Sequence, residues 1–366
     1  MRKILLVYLL FISMGSTISA EHPFNVNEIT SLNEPWAMAF MPDGNLLVTE
    51  KSGRLLVISQ AGKMLAEISG VPEVDYGGQG GLGDIALHPD FSENSIVYMS
   101  FAEAGEAGTD TRGAAVIKAT LNLANASDSL SDVEYIWRQN PKVTGRGHYA
   151  HRLEFSSDGY LYISSGDRQK FDPAQDMKMN LGKIIRLHDD GGIPKDNPFY
   201  SEGGVAAEVW SLGHRNPLGI DFDANEQLWN IEMGPRGGDE LNRVIKGENY
   251  GYPTVSNGIH YNGDDMPNHD TRPEFEEPKE WWTPVISPSS FVIYQGNLFS
   301  DWKGDGFISG LSSKSLVRIE FDGASAKEAE RFDMGKRIRS VEQGPNGAIW
   351  LLEDKAGGRL LKLTPN

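Results

Sequence analysis

Residues 157–163 read Ser-Asp-Gly-Tyr-Leu-Tyr-Ile, a tight turn followed at once by an apolar run. The same succession of turn and apolar run returns at Asp43, at residues 225–227 and at Asn346. Asp-Gly and Asn-Gly pairs favour positive φ, which tight β-hairpins require. Segments of this kind from one end of the chain to the other predict an all-β protein built from repeated hairpins.

The spacing of these hairpins predicts a propeller. Helical periodicity over ten or more residues is hard to find, and the best candidates, residues 174–182 and 324–331, are short. The chain after residue 20, divided by six, gives about 58 residues per unit, enough for a four-stranded blade with inserted loops. We therefore predict a six-bladed β-propeller, with a jelly roll or a parallel β-helix as alternatives left open by the pattern. A propeller places its site on the axis, so site residues should be scattered along the sequence.

Composition excludes several classes of protein. Among 366 residues there are 34 Lys and Arg against 51 Asp and Glu, which gives a net charge of −17. Binding to nucleic-acid phosphates needs clustered cations, so this acidic balance argues against a nucleic-acid partner. The chain has no cysteine, which excludes disulfides and thiolate ligands. An aromatic content of 10% argues against a disordered acidic chain.

The first twenty residues have the layout of a secretory signal peptide. Arg2 and Lys3 precede an apolar run from Ile4 to Met14, and small residues follow as far as Ala20. The run is too short for a comfortable membrane span, although an uncleaved N-terminal anchor is the alternative. We predict cleavage near Ala20, export to a bacterial periplasm and no membrane span. Residues 21–366 would then form a single propeller domain.

A candidate catalytic pair flanks the hairpin at residues 157–163. His148 precedes the first strand of that hairpin, and Asp167 follows the second. Because a hairpin brings its two ends together, the two side chains are expected to meet. An Asp beside a His fixes the imidazole tautomer and makes the other ring nitrogen a general base. The alternative is that both are ordinary turn or loop residues.

A second group of polar residues lies between positions 215 and 240. Arg215-Asn216-Pro217 sets a guanidinium fork in a stiff loop, which suits a carboxylate or carbonyl oxygen. Gly234-Pro235 exposes backbone carbonyls where a ligand can approach. Asp239 and Glu240 carry hard oxygen ligands of the kind that Ca²⁺ takes, without the spacing of an EF-hand. Each feature alone is more often a solvated loop than a binding site.

These segments together resemble the PQQ (pyrroloquinoline quinone)-dependent glucose/sorbosone dehydrogenase family, in particular its soluble aldose sugar dehydrogenase branch. Besides the His148 hairpin and the Arg215 loop, the matching stretches are residues 35–40, 42–44, 78–82, 86–91, 181–187, 234–240 and 337–339. The resemblance implies a six-bladed propeller that oxidises the anomeric carbon of an aldose to a lactone. It also implies PQQ as hydride acceptor, Ca²⁺ as its partner, and an external electron acceptor.

The resemblance also implies roles for individual residues. His148 would be the general base, Asp167 the carboxylate that orients it, and Arg215 a catalytic cation beside the reactive carbonyl of the quinone. The cofactor-binding set it implies is Gln79, Arg215, Asn216, Trp282, Lys314, Arg337 and Arg339. The backbone carbonyls of Gly234 and Pro235 would bind the calcium that holds PQQ, and Glu240 and Tyr250 would bind a second, structural calcium.

Several positions depart from the family pattern. His151, Leu218 and Met233 replace residues that relatives often carry, which leaves the substrate and its fit open. Ser312 competes with Lys314 for the place of a lysine on the cofactor. Three tryptophans fit the core better than a sugar-binding surface, namely Trp36, Trp210 and Trp350.

Two other functions remain compatible with the residues. One is a calcium-stabilised propeller that binds a sugar or a protein without PQQ. The other is a metal-dependent hydrolase of the lactonase type, which predicts acidic ligands converging on the axis and no need for Arg337 and Arg339. Which aldose is oxidised, which molecule accepts the electrons, and whether the chain is a monomer or a homodimer are left open by the sequence.

Overall fold

The structure is a computed structural model, and it describes residues 22–123 and 128–366. The predicted signal peptide, residues 1–20, lies outside the described residues. Within the two described ranges, no helix is long and apolar enough to cross a membrane.

Strands dominate the described chain, and its helices are single turns. The strands are β1 (Phe24–Asn33), β2 (Pro35–Phe40), β3 (Leu46–Glu50), β4 (Arg54–Ile58), β5 (Met64–Ile68), β6 (Leu82–Leu87), β7 (Ile96–Ala104), β8 (Arg112–Asn122), β9 (Ser129–Arg138), β10 (Ala150–Phe155), β11 (Leu161–Ser165), β12 (Lys183–Leu187), β13 (Val209–Leu212), β14 (Pro217–Phe222), β15 (Leu228–Glu232), β16 (Arg236–Gly237), β17 (Asp239–Arg243), β18 (Gly258–Ile259), β19 (Glu280–Trp282), β20 (Pro288–Ile293), β21 (Gly306–Gly310), β22 (Ser315–Asp322), β23 (Ser325–Asp333), β24 (Ile338–Gln343), β25 (Ile349–Glu353) and β26 (Ala356–Pro365). The helical turns are α1 (Phe91–Asn94) and the 3₁₀ turns Asp172–Ala174, Tyr200–Glu202, Gly204–Glu208, His269–Thr271 and Ser300–Trp302.

Six four-stranded antiparallel sheets form the blades, which confirms the predicted six-bladed β-propeller. From the axis outward they are β2-β3-β4-β5, β6-β7-β8-β9, β10-β11-β12-β13, β14-β15-β17-β19, β20-β21-β22-β23 and β24-β25-β26-β1. The last blade joins the two ends of the chain, because β1 pairs with β26 and sets Phe24 opposite Pro365. This pairing supplies the fourth strand of the last blade and so closes the ring.

The blades pack face to face, and their apolar pattern follows from that. All five residues of β3, of β11 and of β25 are buried, since both faces of these strands meet a neighbouring blade. Strands covered on both faces carry near-continuous apolar runs. The outermost strands are half solvated, and β5 has only one buried residue, Ile68.

The four turns that decided the fold occupy equivalent places. They join the innermost strand of a blade to the second strand, between β2 and β3, β10 and β11, β14 and β15, and β24 and β25. In the other two blades this connection carries α1 or the 3₁₀ turn Ser300–Trp302, so the Asp/Asn-Gly signal is missing there. The short helical candidate at residues 324–331 is not a helix, because residues 325–331 lie in β23, which pairs with β22.

Each innermost strand has an irregularity at its first residues. The pairing skips Trp36 in β2, Leu218 in β14 and Arg339 in β24, and it shifts between Ala150 and Leu153 in β10. Corresponding shifts occur in β6 and β20. Bulges bend a strand and redirect side chains. At this end of the axis, the bulges turn side chains of the inner strands toward a cavity.

Candidate functional site

A cavity of about 370 Å³ opens at the end of the axis where the inner strands begin. That volume lies within the range of about 300–1,000 Å³ that is usual for small-molecule sites. Its lining comes from the inner strands and from the loops after the second strands: Glu34, Trp36, Lys51, Gly78, Gln79, Tyr149, Ala150, His151, Leu218, Met233, Ser287, Leu311, Arg337, Arg339, Asp354 and Lys355.

The predicted meeting of His148 and Asp167 is confirmed. Nδ1 of His148 lies 2.6 Å from Oδ1 of Asp167, and both side chains are buried. The Asp167 carboxylate also accepts hydrogen bonds from the backbone N–H groups of Gln169 and Phe171, which fixes its orientation. With Nδ1 protonated toward the carboxylate, Nε2 is the basic nitrogen. Among the described residues, Nε2 has no hydrogen-bond partner.

Burial decides the charge of His148. Burial lowers the pKa of His148 below its usual range, against the hydrogen bond to Asp167, and the positive charge of Arg215 acts in the same direction as burial. The imidazole is therefore neutral at pH 7 and able to accept a proton. A neutral, oriented imidazole is the form that general-base catalysis requires.

The loop that carries His148 is held by one buried arginine. Arg168 donates from Nε to the carbonyl of Gly147 at 2.8 Å, from Nη2 to Gly145 at 2.6 Å, and from Nη1 to Arg112 at 2.7 Å. His148, Ala150 and His151 all have positive φ, between 49° and 56°. Non-glycine residues in this conformation persist only where the surroundings impose it, and they are common at functional sites. Gln79 adds a further restraint, because its Oε1 accepts the N–H of His148 at 2.7 Å.

Gly166 is expected to be irreplaceable beside this loop. A Cβ at position 166 would lie 2.0 Å from the carbonyl oxygen of His148. We expect Gly166→Ala to lower the free energy of unfolding by about 1–3 kcal/mol, as overpacking does, because a backbone atom must move. Urea titration measures the loss. Gly192→Ala is the matched control, since the three atoms nearest its Cβ all belong to side chains, the closest being an Asp190 carboxylate oxygen at 2.9 Å. An equal effect of the two substitutions would contradict the steric explanation.

Arg215 lies beside the His148–Asp167 pair and links it to the turn that begins at Gly234. Its Nη1 donates to the carbonyls of Met233 and Gly234, at 2.9 and 2.6 Å. Its own carbonyl accepts the N–H of Asp167 at 2.8 Å. The guanidinium Nε is buried and has no hydrogen-bond partner among the described residues. The structure thus places Arg215 next to the His148–Asp167 pair.

Asn216 and the Gly234-Pro235 turn both offer polar groups to a ligand: Asn216 through its side-chain amide, and the turn through its backbone carbonyls. Both polar atoms of the Asn216 side chain are buried without a hydrogen-bond partner among the described residues, which is rare for an amide. Gly234 and Pro235 line a second, adjoining cleft of about 610 Å³ that shares Met233 and Ser287 with the axial cavity. Asp239 fixes this turn, because its two oxygens accept the N–H groups of Gly234 and Ser287 at 2.9 and 2.7 Å.

Arg337 and Arg339 line the cavity as predicted, and a carboxylate holds them there. Asp354 accepts Nε of Arg337 at 2.7 Å and Nη2 of Arg339 at 2.7 Å. Burial alone would raise the pKa of Asp354, but Arg339 and Arg337 hold it below its usual range. The cluster of two guanidinium groups and one carboxylate is therefore net positive. No motif in the sequence pointed to Asp354.

One wall of the cavity is apolar and contains all three residues that depart from the family pattern. His151 stacks on Trp36 with ring centroids 4.9 Å apart, and Leu218 and Met233 also line the cavity. Burial lowers the pKa of His151 to about 3, so this ring is neutral and serves as a flat surface. Trp36 is 3% exposed and packs in the core, as predicted, and it also lines the cavity.

Four residues of the implied cofactor set do not line the cavity. Arg215 and Asn216 lie beside it and hydrogen-bond to its lining residue Met233, whereas Trp282 and Lys314 lie elsewhere. Trp282 lies in β19, the outermost strand of its blade, packs into the core and donates from Nε1 to Glu328 at 2.6 Å. Lys314 is exposed in the turn between β21 and β22. The likeness of local sequence placed them near the cofactor, but strand order and turn direction set them elsewhere.

The two implied ligands of a structural calcium have other partners. Glu240 is buried and lies 3.3 Å from Nε2 of His269. Burial raises the pKa of Glu240, against its contact with His269. The phenol of Tyr250 donates to the carbonyl of Arg243 at 2.5 Å, and its ring stacks on His214. The described residues contain no group of three or more His, Cys, Asp or Glu side chains that could hold a metal ion.

Acidic residues meet at the other end of the axis. Asp84, Glu154 and Glu342 line a cavity of about 360 Å³ between the inner strands, and Arg152 lies among them. Burial raises the pKa of Glu342 to about 8 and the pKa of Glu154 as well. This acidic cavity shares no lining residue with the cavity that holds Arg337 and Arg339.

Sequence reasoning missed Lys51, Asp354 and Tyr261. Lys51 and Asp354 follow β3 and β25, the second strands of their blades, just as Asp167 follows β11. The position after each second strand was the available signal. Tyr261, 68% exposed, lies 3.3 Å from Nη2 of Arg215 and belongs to a loop without a recognisable pattern.

Known proteins resemble the chain over nearly its whole length. Residues 32–362 match the model of the family described as Glucose / Sorbosone dehydrogenase. Aldose sugar dehydrogenase YliI of Escherichia coli is 40% identical over 346 residues, covering 91% of this chain and 91% of that protein. Quinoprotein glucose dehydrogenase B of Acinetobacter calcoaceticus is 26% identical over 90% of this chain and 85% of its own length.

Solved structures resemble the fold equally well. The apo form of the soluble aldose sugar dehydrogenase from Escherichia coli superposes with a TM-score of 0.87 at 37% identity, covering 94% of this chain and all of that one. The PQQ-bound form of aldose sugar dehydrogenase from Streptomyces coelicolor gives a TM-score of 0.77 at 28% identity, covering 93% and 98%.

Proposed function

Since this chain belongs to the glucose/sorbosone dehydrogenase family, we propose that it is a PQQ-dependent aldose sugar dehydrogenase that oxidises the anomeric carbon of aldoses to lactones. The observation that carries the proposal is the neutral, Asp167-bound His148 beside a cavity lined by Arg337 and Arg339. A base for a sugar hydroxyl and cations for an anionic cofactor thus occur in one site.

The residues present fit PQQ. This cofactor carries three carboxylates, and guanidinium groups are suited to bind them because their paired N–H donors match carboxylate oxygens. Arg337 and Arg339 would hold carboxylates, and Gln79 lines the same cavity. Arg215 and the unpaired amide of Asn216 would serve the carbonyl side of the ring system. Trp282 and Lys314 are not part of this proposed set.

Calcium is proposed as the partner of PQQ. Ca²⁺ prefers oxygen ligands and accepts backbone carbonyls. The carbonyls of Gly234 and Pro235 would supply two of them, with the turn held by Asp239. Arg215 now donates to the Gly234 carbonyl, so the guanidinium and the metal would share this oxygen. Glu240 and Tyr250 remain the proposed ligands of a second calcium.

The chain's own residues account for the handling of the proton. His148 takes the proton of the anomeric hydroxyl on Nε2, because Nδ1 is committed to Asp167. Asp167 orients the ring and stabilises the imidazolium that forms. PQQ, when bound, supplies the two-electron acceptor for the hydride that leaves the anomeric carbon. The positive charge of Arg215 lowers the pKa of His148, which keeps the imidazole neutral before the reaction.

Reconstitution tests the proposal. The purified protein is incubated with PQQ and CaCl₂, and reduction of an artificial dye is followed with a panel of aldoses. We expect dye reduction that needs PQQ, Ca²⁺ and the sugar together, and a lactone as product. A protein that takes up no PQQ, measured by its absorbance after gel filtration, would favour the propeller that binds without PQQ.

The pH profile should report the lowered pKa of His148. Only the neutral imidazole accepts a proton, and burial lowers the pKa of His148 below 6.5, the usual value. We therefore expect kcat/KM to stay high as the pH falls to 6.5 and to decline only at lower pH. Initial rates between pH 4.5 and 9, with a dye whose reduction is independent of pH, measure this limb. A decline centred above pH 6.5 would contradict the assignment of His148.

Export and electron transfer complete the proposal. The signal-peptide layout of residues 1–20 supports a periplasmic protein cleaved near Ala20. An external acceptor would then take the electrons, and both a monomer and a homodimer agree with the proposed activity. Mass spectrometry of the protein from periplasmic extract would test the cleavage, since the mature chain should begin near Glu21.

The lactonase-type alternative is less well supported. It predicts acidic ligands on the axis, and Asp84, Glu154 and Glu342 do line the axial cavity at the other end. Arg152 donates to Asp84 at 3.0 Å within this cluster, which occupies the carboxylate with an internal cation. The alternative also leaves Arg337 and Arg339 without a function. Hydrolysis of a lactone by the protein with Ca²⁺ and without PQQ would favour it.

A further inference from the structure

The basic side of the axial cavity contains a third cation that the family resemblance does not include. Lys51 follows β3 in the first blade and lines the cavity together with Arg337 and Arg339 of the last blade. The first and last blades are neighbours in the closed ring. The electrostatic contacts of Lys51 include Arg339 and Asp354, so these groups share one electrostatic environment.

The position of Lys51 is fixed by its backbone. Its N–H donates to the carbonyl of Glu34 at 3.0 Å, and its carbonyl accepts the N–H of Leu82 at 3.0 Å. The glycine at 81 permits this approach, because a Cβ there would lie 2.2 Å from the carbonyl oxygen of Lys51. The side chain is 14% exposed, so the lysine is held at the cavity and does not extend into bulk water.

The ammonium group has donors to spare. Nζ donates to the carbonyl of Gly78 at 3.0 Å, and the nearest carboxylate oxygen, Oε1 of Glu34, is 3.9 Å away. A lysine carries three N–H donors, so this environment leaves it incompletely paired. Burial lowers the pKa of Lys51, with Glu34 acting in the opposite direction. A bound anion would restore the pairing that burial has removed.

The lysine that the resemblance implied is not available. Lys314 is exposed in its turn and does not line the cavity. At position 312 a serine is present instead, and its hydroxyl lies 2.7 Å from that of Ser287. The site therefore lacks a lysine from the fifth blade and has one from the first.

We propose that Lys51 is a cofactor-binding residue whose ammonium group binds a carboxylate of the cofactor, in place of a lysine near position 314. This inference rests on the proposed PQQ-dependent function. Lys51 in the loop after β3 would bind the cofactor directly, whereas Asp354 in the loop after β25 positions Arg337 and Arg339 to bind it. The loop after the second strand thus contributes to the cavity in both blades.

Binding measured without turnover tests this proposal. PQQ is titrated into the protein in CaCl₂ with no sugar, and Kd is obtained from quenching of tryptophan fluorescence. We expect Lys51→Met to raise Kd about 10- to 100-fold, as the loss of a charged hydrogen bond does. Lys51→Arg should keep Kd within about fivefold, because the charge stays. Lys63→Met, at an exposed turn, is the charge-matched control and should bind as the unaltered protein does.

The outcomes separate this inference from the function on which it rests. If the unaltered protein binds PQQ and Lys51→Met binds it with the same Kd, the role of Lys51 is overturned while the function stands. If Lys314→Met weakens binding and Lys51→Met does not, the role returns to Lys314. If the unaltered protein binds no PQQ, the proposed function itself fails, and this inference with it.

A second measurement needs no variant. The protein is treated with an amine-acetylating reagent with and without PQQ and CaCl₂, and peptides are quantified by mass spectrometry. We expect PQQ to slow acetylation of Lys51 at least about fivefold and to leave Lys63 and Lys314 unchanged, because only a paired ammonium is shielded. Equal acetylation of Lys51 in both samples would overturn the proposal even if Lys51→Met failed to fold.

Discussion

Replacing His148 with alanine is expected to lower kcat by about 10²- to 10⁴-fold, the usual contribution of a general base, while Kd for PQQ stays within a few-fold. The imidazole is buried and lies 2.6 Å from Asp167, and within the described part of the chain its ring makes no other hydrogen bond. Its removal therefore takes away the proton acceptor without removing a cation from the cavity. Stopped-flow reduction of the protein loaded with PQQ measures the step directly.

Two matched variants locate the effect. Asp167→Asn keeps the size of the side chain but loses the charge that favours the imidazolium, so we expect a smaller loss of kcat than in His148→Ala. His188→Ala removes an exposed histidine away from the cavity and should leave kcat unchanged. Normal turnover in His148→Ala would sink the assignment of the base, and a large loss of PQQ binding would show a structural role instead.

The His148–Asp167 pair could be predicted because it is a local feature. The two residues are at the ends of one hairpin, β10 and β11, and an Asp-Gly turn fixes its register. No knowledge of the other blades is needed. The same holds for the four turns that revealed the propeller, since each connects adjacent strands through residues that require positive φ.

Contacts between blades could not be predicted in this way. Trp36 in the first blade stacks on His151 in the third, so this contact depends on how the blades are arranged around the axis. The ring closes through β1 and β26, which pair from the two ends of the chain. No pattern in the sequence around Trp36 separates a core tryptophan from one that lines a cavity on the axis.

The bulges explain why the cavity collects the unusual residues. Trp36, Leu218 and Arg339 are skipped by the pairing of their strands, and each lines the cavity. A residue without a partner across the strand is released from the alternation of faces that the sequence pattern reveals. The sequence identified Leu218 and His151 as departures from the family, but it could not predict that both would line the same wall of the cavity.

Replacing both Arg337 and Arg339 with methionine is expected to raise Kd for PQQ by about 10²- to 10⁴-fold, because two charge-assisted hydrogen-bonding groups are lost at about 1.5–3 kcal/mol each. The double change also leaves Asp354 buried beside the cavity without the cations that stabilise it. Its carboxylate would then repel the anionic cofactor. Isothermal titration with PQQ in CaCl₂ measures the loss, and melting curves report whether the fold survives.

Asp354→Asn distinguishes cofactor binding from internal pairing. The asparagine oxygen can still accept from the two guanidinium groups, and the cavity gains positive charge, so we expect Kd to change by less than about fivefold. If the arginines served only to neutralise Asp354, adding Asp354→Asn to the double variant would restore normal PQQ binding, because no carboxylate would remain to repel the cofactor. Strong binding that survives the loss of both arginines would mean that Arg337 and Arg339 are not part of the cofactor site. Lys51 and Arg215 would then be its positive groups.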